Sequence, residues 1–268
     1  MADETLAAID RLFPQKFGQP PMDDDEDQSP LPLPERNWQA VPAPVNGYIQ
    51  SVDNAPLLRL ARKHQAIVRM ERGIGEFVVQ NTTLASLALA VPSEPELIAA
   101  LQAAYSIHRL RTVEHDAAFG IRQIVDVAPR ALSPGINDTT TAVMCVDYLT
   151  AILGRLASRN IPSSRRYEDG ELRIITVGPT FASMVAASFD QIRASAQGNL
   201  AIMLRMLGAL QTIGSLTTNP SRRRALREEA QWIAELAERT IESPHDRERF
   251  ESRLANVREA LGGDEKPV

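Results

Sequence analysis

Cysteine occurs once in these 268 residues, histidine four times and glycine 14 times, and aromatic side chains make up 5 % of the chain. A single thiol, Cys145, can close no internal disulfide and can seed no cysteine cluster for zinc, so the sequence leans towards a reducing, cytosolic compartment. His64, His108, His115 and His245 show no His-x-x-x-His spacing, which removes a common signature of a catalytic metal. Gly-x-Ser-x-Gly and Cys–His signatures are missing as well, so no nucleophile is assigned and no catalytic residue is expected. Gly73 and Gly75 lack the following helix of a phosphate loop and read as a turn that needs positive φ. Excess positive charge is absent, the net charge being −5, and no global field would gather nucleic acid or anionic lipid. Asp147, Arg155, Asp190 and Arg205 interrupt the richest apolar runs before any reaches the roughly 18 residues of a membrane span. The start, MADETLAAIDRLFPQ, has acids where a secretory signal is basic, so the chain reads as soluble.

What remains is an ordinary core-forming composition, 44 % hydrophobic, enough for one large or two small domains. Residues 3 to 13 fit a short helix with Leu6, Ile9, Leu12 and Phe13 on one side. An acidic, proline-rich stretch follows, with five consecutive acids at 23–27, and residues 1–44 read as this helix plus linker. The acids lack calcium-loop spacing. From 45 to 92 short strand patterns, NGYIQSVD, AIVRMER and GEFVVQNTTLASLAL, surround the helix PLLRLARKHQ, giving a small α/β unit whose helix Asp53 or Asn54 can cap. Residues 93–262 read as a helical domain, with helices over 107–131, 138–158, 180–197, 200–216, 220–241 and 245–261, after PSEPELIAALQAAYSI capped by Ser93. Gly198, Asn219 with Pro220, and Ser243 with Pro244 mark boundaries. Asp169-Gly170 signals one β-hairpin near 165–177, and residues 263–268 read as a disordered tail. The fold class expected is α+β.

The polar residues that could carry chemistry cluster around RALSPGINDTTTA, residues 130–142. Arg111, His115, Arg122, Asp126 and Arg130 recur at near-helical spacing and would form one stripe, with Arg122 and Asp126 set for an i,i+4 pair. His115 and Asp116 point about 100° apart on a helix and cannot easily chelate one ion. Pro129 should bend the helix, and Pro134 and Gly135 end it. Asn137 or Asp138 then caps the next helix, whose first turn holds Thr139, Thr140 and Thr141. That makes a structural connector. A second reading uses the same helix start, with Ser133, Asn137, Asp138, Thr141 and Arg130, as an anion site, although the Asp138 carboxylate would compete for the amide donors. Cys145 reads as a buried thiol beside Val143, Val146 and Leu149. SRRRALREE reads as a solvated helix face with internal ion pairs.

RTVEHDAAFGIRQIVDVAPRALSPGINDTTTAVMCVDYL resembles the central signature of a family of bacterial predicted membrane proteins, the domain of unknown function family 2254. The matching positions are Arg111, Thr112, Asp116, Phe119, Gly120, Arg122, Gln123, Asp126, Arg130, the run Ala131 to Asp138, Thr141 and Ala142. Thr139 departs from the family's proline at the first helical position and loses some pre-organisation. With GYIQSVD, GEFVVQNTTLASL, YEDGELRI and FDQIRASAQGN, the likeness covers roughly residues 45 to 210. It implies transmembrane helices followed by a soluble cytoplasmic part, and the chain resembles that part, as an excised piece or a short natural relative. The expectation is a non-enzymatic cytosolic assembly or regulatory domain that forms a homo-oligomer and meets the membrane through segments outside this chain. The alternative is a small-ligand or enzymatic domain with its site at the 111–141 corner. GYIQSVD…GEFVVQNTTLASL is also similar to half a biotinyl or lipoyl barrel, but its turn has no lysine, so no cofactor is expected.

Overall fold

The computed structural model describes residues 1–13, 37–89 and 94–262. The acidic run, the terminal tail and Ser93 lie outside them. Helix α1 (Ala2–Leu12) buries Thr5, Ala8 and Ile9, one stripe at helical spacing. The fold is α+β, and it divides into two units by contact.

The α/β unit takes the described residues within Asp24–Phe119 and Pro162–Gly178. Five strands, β1 (Trp38–Pro42), β3 (Ile67–Met70), β5 (Thr83–Ala88), β7 (Arg165–Glu168) and β8 (Glu171–Ile175), lie in the order β1-β5-β3-β8-β7. Three more, β2 (Gly47–Val52), β4 (Phe77–Val78) and β6 (Tyr105–His108), lie in the order β4-β2-β6. Helices α2 (Asn54–Lys63) and α3 (Pro95–Ala103) contribute Leu57, Ala61, Leu97 and Leu101 to a core shared with Val41, Ile49, Val68, Met70 and Leu87. Burying each larger side chain is worth about 1.5–3 kcal/mol. Asp53 caps α2 by accepting the Ala55 amide.

Strand β1 falls inside the stretch that the sequence assigns to linker. Its prolines hide the alternation, yet an edge strand can hold Pro42, which sits at a register shift. Asp169 (φ 54°) and Gly170 (φ 78°) form the expected two-residue turn between β7 and β8. The hairpin, however, joins the five-stranded sheet: β8 runs parallel to β3, with Val68 opposite Ile174. It does not ornament the helical domain in which the sequence reading places it, because so distant a pairing leaves no local pattern.

The helical unit takes the described residues within Met1–Asp23, Gly120–Ile161 and Pro179–Val268. It contains α6 (Thr139–Ala157), α7 (Phe181–Ser195), α8 (Leu200–Ser215), α9 (Pro220–Thr240) and α10 (Pro244–Ala260). Side chains of Asp138, Thr180, Asn199, Asn219 and Ser243 cap these five in turn. Leu149, Ile152, Phe181, Phe189, Met206, Leu210 and Ile233 are fully buried among them. By length and composition α6 alone among the described helices could cross a membrane, with mean hydropathy 1.2, and half of that window is buried within the fold.

The single helix expected over 107–131 does not form. Residues 105–108 pair with β2, Val113–His115 make a 3-10 turn, and helix is found only as α4 (Ala117–Val125) and α5 (Val127–Ala131). Asp116 fixes the later start by accepting the Phe119 amide through its side chain. Pro129 has no N–H to offer Val125, which separates α4 from α5.

Candidate functional site

The corner between α5 and α6 is closed by its own backbone. Amides of Ile136 and Asn137 both donate to the Ser133 carbonyl, at 3.0 and 2.8 Å, and the Asp138 amide donates to Ala131 at 2.7 Å. Asn137 is exposed and left-handed, φ 49°, a conformation asparagine tolerates. Asp138 accepts the Thr141 amide at 3.0 Å and the Thr141 hydroxyl at 2.5 Å. Those bonds, the hydroxyl first, hold its carboxyl below the ordinary range. The carboxylate therefore occupies the donors that an anion would need. Ser133 donates its hydroxyl to the Arg130 carbonyl at 2.7 Å. Arg122 and Asp126 pair at 2.8 Å across one turn, both well exposed. Arg130 is exposed, and its guanidinium makes no ion pair among the described residues.

Arg111 and His115 belong to the α/β unit and share no helix with Arg122. His115 is exposed on the 3-10 turn. Arg111 donates through Nε and Nη2 to one oxygen of Asp116, at 3.0 and 2.7 Å, while the other oxygen takes the Phe119 amide at 3.0 Å. The guanidinium lies 4.8 Å from the Phe119 ring centroid. Gly75, at φ 86°, closes this group, because a Cβ there would overlap the Asp116 carboxylate. The sequence reading set Asp116 aside as a poor metal partner for His115. It is instead a buried cap with a charge-assisted bond.

Beside the corner, α6 shows an outward stripe. Ile136 is 62 % exposed, Met144 50 % and Tyr148 50 %, with Thr140 and Ala151 exposed between and beyond them. Ion pairs flank it: Asp147 with Arg205, and Asp10 with Arg155 at 2.7 Å and with Arg159. The bond from Arg155 lowers the Asp10 carboxyl below its usual range. Cys145 is buried, its thiol pushed up by desolvation. The stripe was detectable in sequence, since TTTAVMCVDYLTAILGRLA is apolar on nearly every side, a pattern that needs two contact faces rather than one.

The α9 start is not the solvated face expected from SRRRALREE. Arg224 and Glu228 do pair at the surface, at 3.0 Å. Arg222 is buried, donates to the Ala157 and Arg159 carbonyls at 2.9 Å each, and stacks against Phe181. Glu229 is fully buried and lies 3.3 Å from Arg193 Nε without the alignment of a hydrogen bond. Burial raises its carboxyl to about 7, against a smaller lowering by Arg193. Among the described residues no three His, Cys, Asp or Glu side chains gather as metal ligands.

The sequence model of a family described as predicted membrane protein (DUF2254) matches residues 1–212. Two mycobacterial proteins are 30 % identical over 251 residues, "Uncharacterized protein Mb1321c" of Mycobacterium bovis and "Uncharacterized protein Rv1290c" of Mycobacterium tuberculosis. Each alignment covers 91 % of this chain and 47 % of the relative, so the chain spans about half the length of these relatives. No solved structure matches it significantly.

Proposed function

This chain belongs to the DUF2254 family of predicted membrane proteins, and on that premise we propose that it is a non-enzymatic assembly or regulatory domain on the cytosolic side of a membrane protein, self-associating through α6. The exposed stripe Ile136, Met144, Tyr148 carries the reading. A contiguous apolar strip on an otherwise satisfied helix favours a partner. Its flanks argue for a second copy: Asp147 and Arg205 put both signs beside the middle of the stripe, so a two-fold axis there sets each acid near the other copy's base. The signature residues support a structural role, because Asp116, Asp138 and Ser133 use their polar atoms inside the chain. A single buried thiol agrees with the cytosolic side.

Sedimentation velocity across a concentration series tests this. The expected result is a discrete dimer that Met144→Glu with Tyr148→Arg converts to a monomer of unchanged circular dichroism. A wild-type chain that stays monomeric at high concentration, or a dimer indifferent to both substitutions, removes the proposal.

A further inference from the structure

The three-stranded sheet of the α/β unit buries one side and leaves the other uncovered. Ile49 and Val78 enter the core, so alternation turns Tyr48, Phe77 and Val79 the opposite way. Register puts Phe77, Tyr48 and His108 on one rung, and the Tyr48 and Phe77 rings meet edge to face at 5.0 Å. Phe77 is 53 % exposed, Val79 52 % and Leu110 74 %. Leu110 is held next to β2 by Gln50, whose Nε2 donates to its carbonyl at 2.6 Å. A sheet side that faces only water would carry polar residues at these positions.

Charge identifies the occupant. Strands β2, β4 and β6 contain no Asp or Glu, in a chain of net charge −5. The carboxylates bracketing them are engaged: Asp53 takes the Ala55 amide at 3.0 Å, and Glu76 takes the Gly73 amide at 2.8 Å and Arg72 at 3.4 Å. Arg109, next to His108 and directly after β6, is exposed and has no carboxylate partner among the described residues. Aromatic and aliphatic side chains beside an uncompensated arginine suit the headgroup layer of a membrane, where rings lie at the interface and guanidinium meets phosphate. A second copy docked here would instead bring two Arg109 together without an acid between them.

We infer that this face rests on an anionic lipid surface, with Phe77, Val79 and Leu110 set among the headgroups and Arg109 against their phosphates. The remaining, net acidic surface is repelled by the same lipids, which confines contact to this face. This contact is independent of self-association through α6.

Co-sedimentation of the full chain with phosphatidylcholine vesicles, with and without phosphatidylglycerol, tests it at low ionic strength. The chain is expected to pellet with the phosphatidylglycerol vesicles only. Arg109→Glu should weaken partitioning at least about five-fold, from the worth of one cation near an anionic surface. Phe77→Ser with Leu110→Ser, both at exposed positions, should lower it too while circular dichroism stays unchanged. The Met144→Glu, Tyr148→Arg chain should bind like wild type, so failure of the dimer and failure of this contact are separable. No pelleting with phosphatidylglycerol overturns the inference, as does pelleting unaffected by the Phe77 and Leu110 substitutions. Loss of a wild-type dimer on Phe77→Ser would make the face a protein contact and overturn it equally.

Discussion

The carboxylate of Glu229 has no water to meet and no aligned donor, so desolvation raises it from 4.5 to about 7 while Arg193 offsets only part. A folded-state value above the unfolded one means that stability is fully present below pH 4.5 and is lost as pH rises through about 7. A shift of that size corresponds to roughly 3 kcal/mol. Glu229→Gln should therefore flatten the slope between those limits and raise Tm at pH 8, by roughly 2–4 °C per kcal/mol recovered. Arg193 is not stranded by the change, since it keeps Asp190 at 2.5 Å and its stacking on Trp232. A Tm measured from pH 4 to 9 that slopes equally in both proteins would count against this account. Sequence gave no warning of the residue. Glu228 and Glu229 are adjacent and chemically alike, and only the angle of α9 against α7 makes one a surface partner and the other a buried cost. Asp138, by contrast, was legible, because its capping role depends on Thr141 three residues away.

Helix α1 shows how a missing side chain can set the seating of a whole element. Gly120 leaves no room for a Cβ beside Thr5, whose methyl and Cβ would lie 2.9 and 3.0 Å away and whose hydroxyl would lie closer still. Gly120→Ala should push α1 off its seat and cost about 1–3 kcal/mol, the usual range for overpacking. Adding Thr5→Ala should restore part of that loss in urea unfolding, and a double variant no better than the single would show that the strain lies elsewhere. Elements with paired local signals were readable: α6 to α10 each begin at a side-chain cap, and the β7–β8 turn was named by Asp169-Gly170. The 107–131 region was not. Its apolar spacing imitates a helix, while Tyr105–His108 is committed to β2 by a partner more than fifty residues earlier in the chain. The candidate site suffered with it, since the stripe drawn through Arg111 and Arg122 presumed that helix.

At the scale of the molecule, the α/β unit is completed from two places in the chain, Asp24–Phe119 and Pro162–Gly178. A fragment of residues 37–119 lacks β7 and β8, which leaves β3 as an unpaired edge and uncovers Val68 where Ile174 should lie. Such a fragment should show no cooperative thermal transition by circular dichroism and should regain one when a peptide of residues 162–178 is added. A sharp melt of the fragment alone would refute the dependence. The same interleaving orders events on the ribosome. The chain's five segments alternate between units, so the sheet waits for residue 178 while α1 and α4 to α6 have already emerged. At roughly 5–20 residues per second, β3 and β5 spend several seconds without their neighbour β8, a window in which a chaperone has an exposed strand to hold.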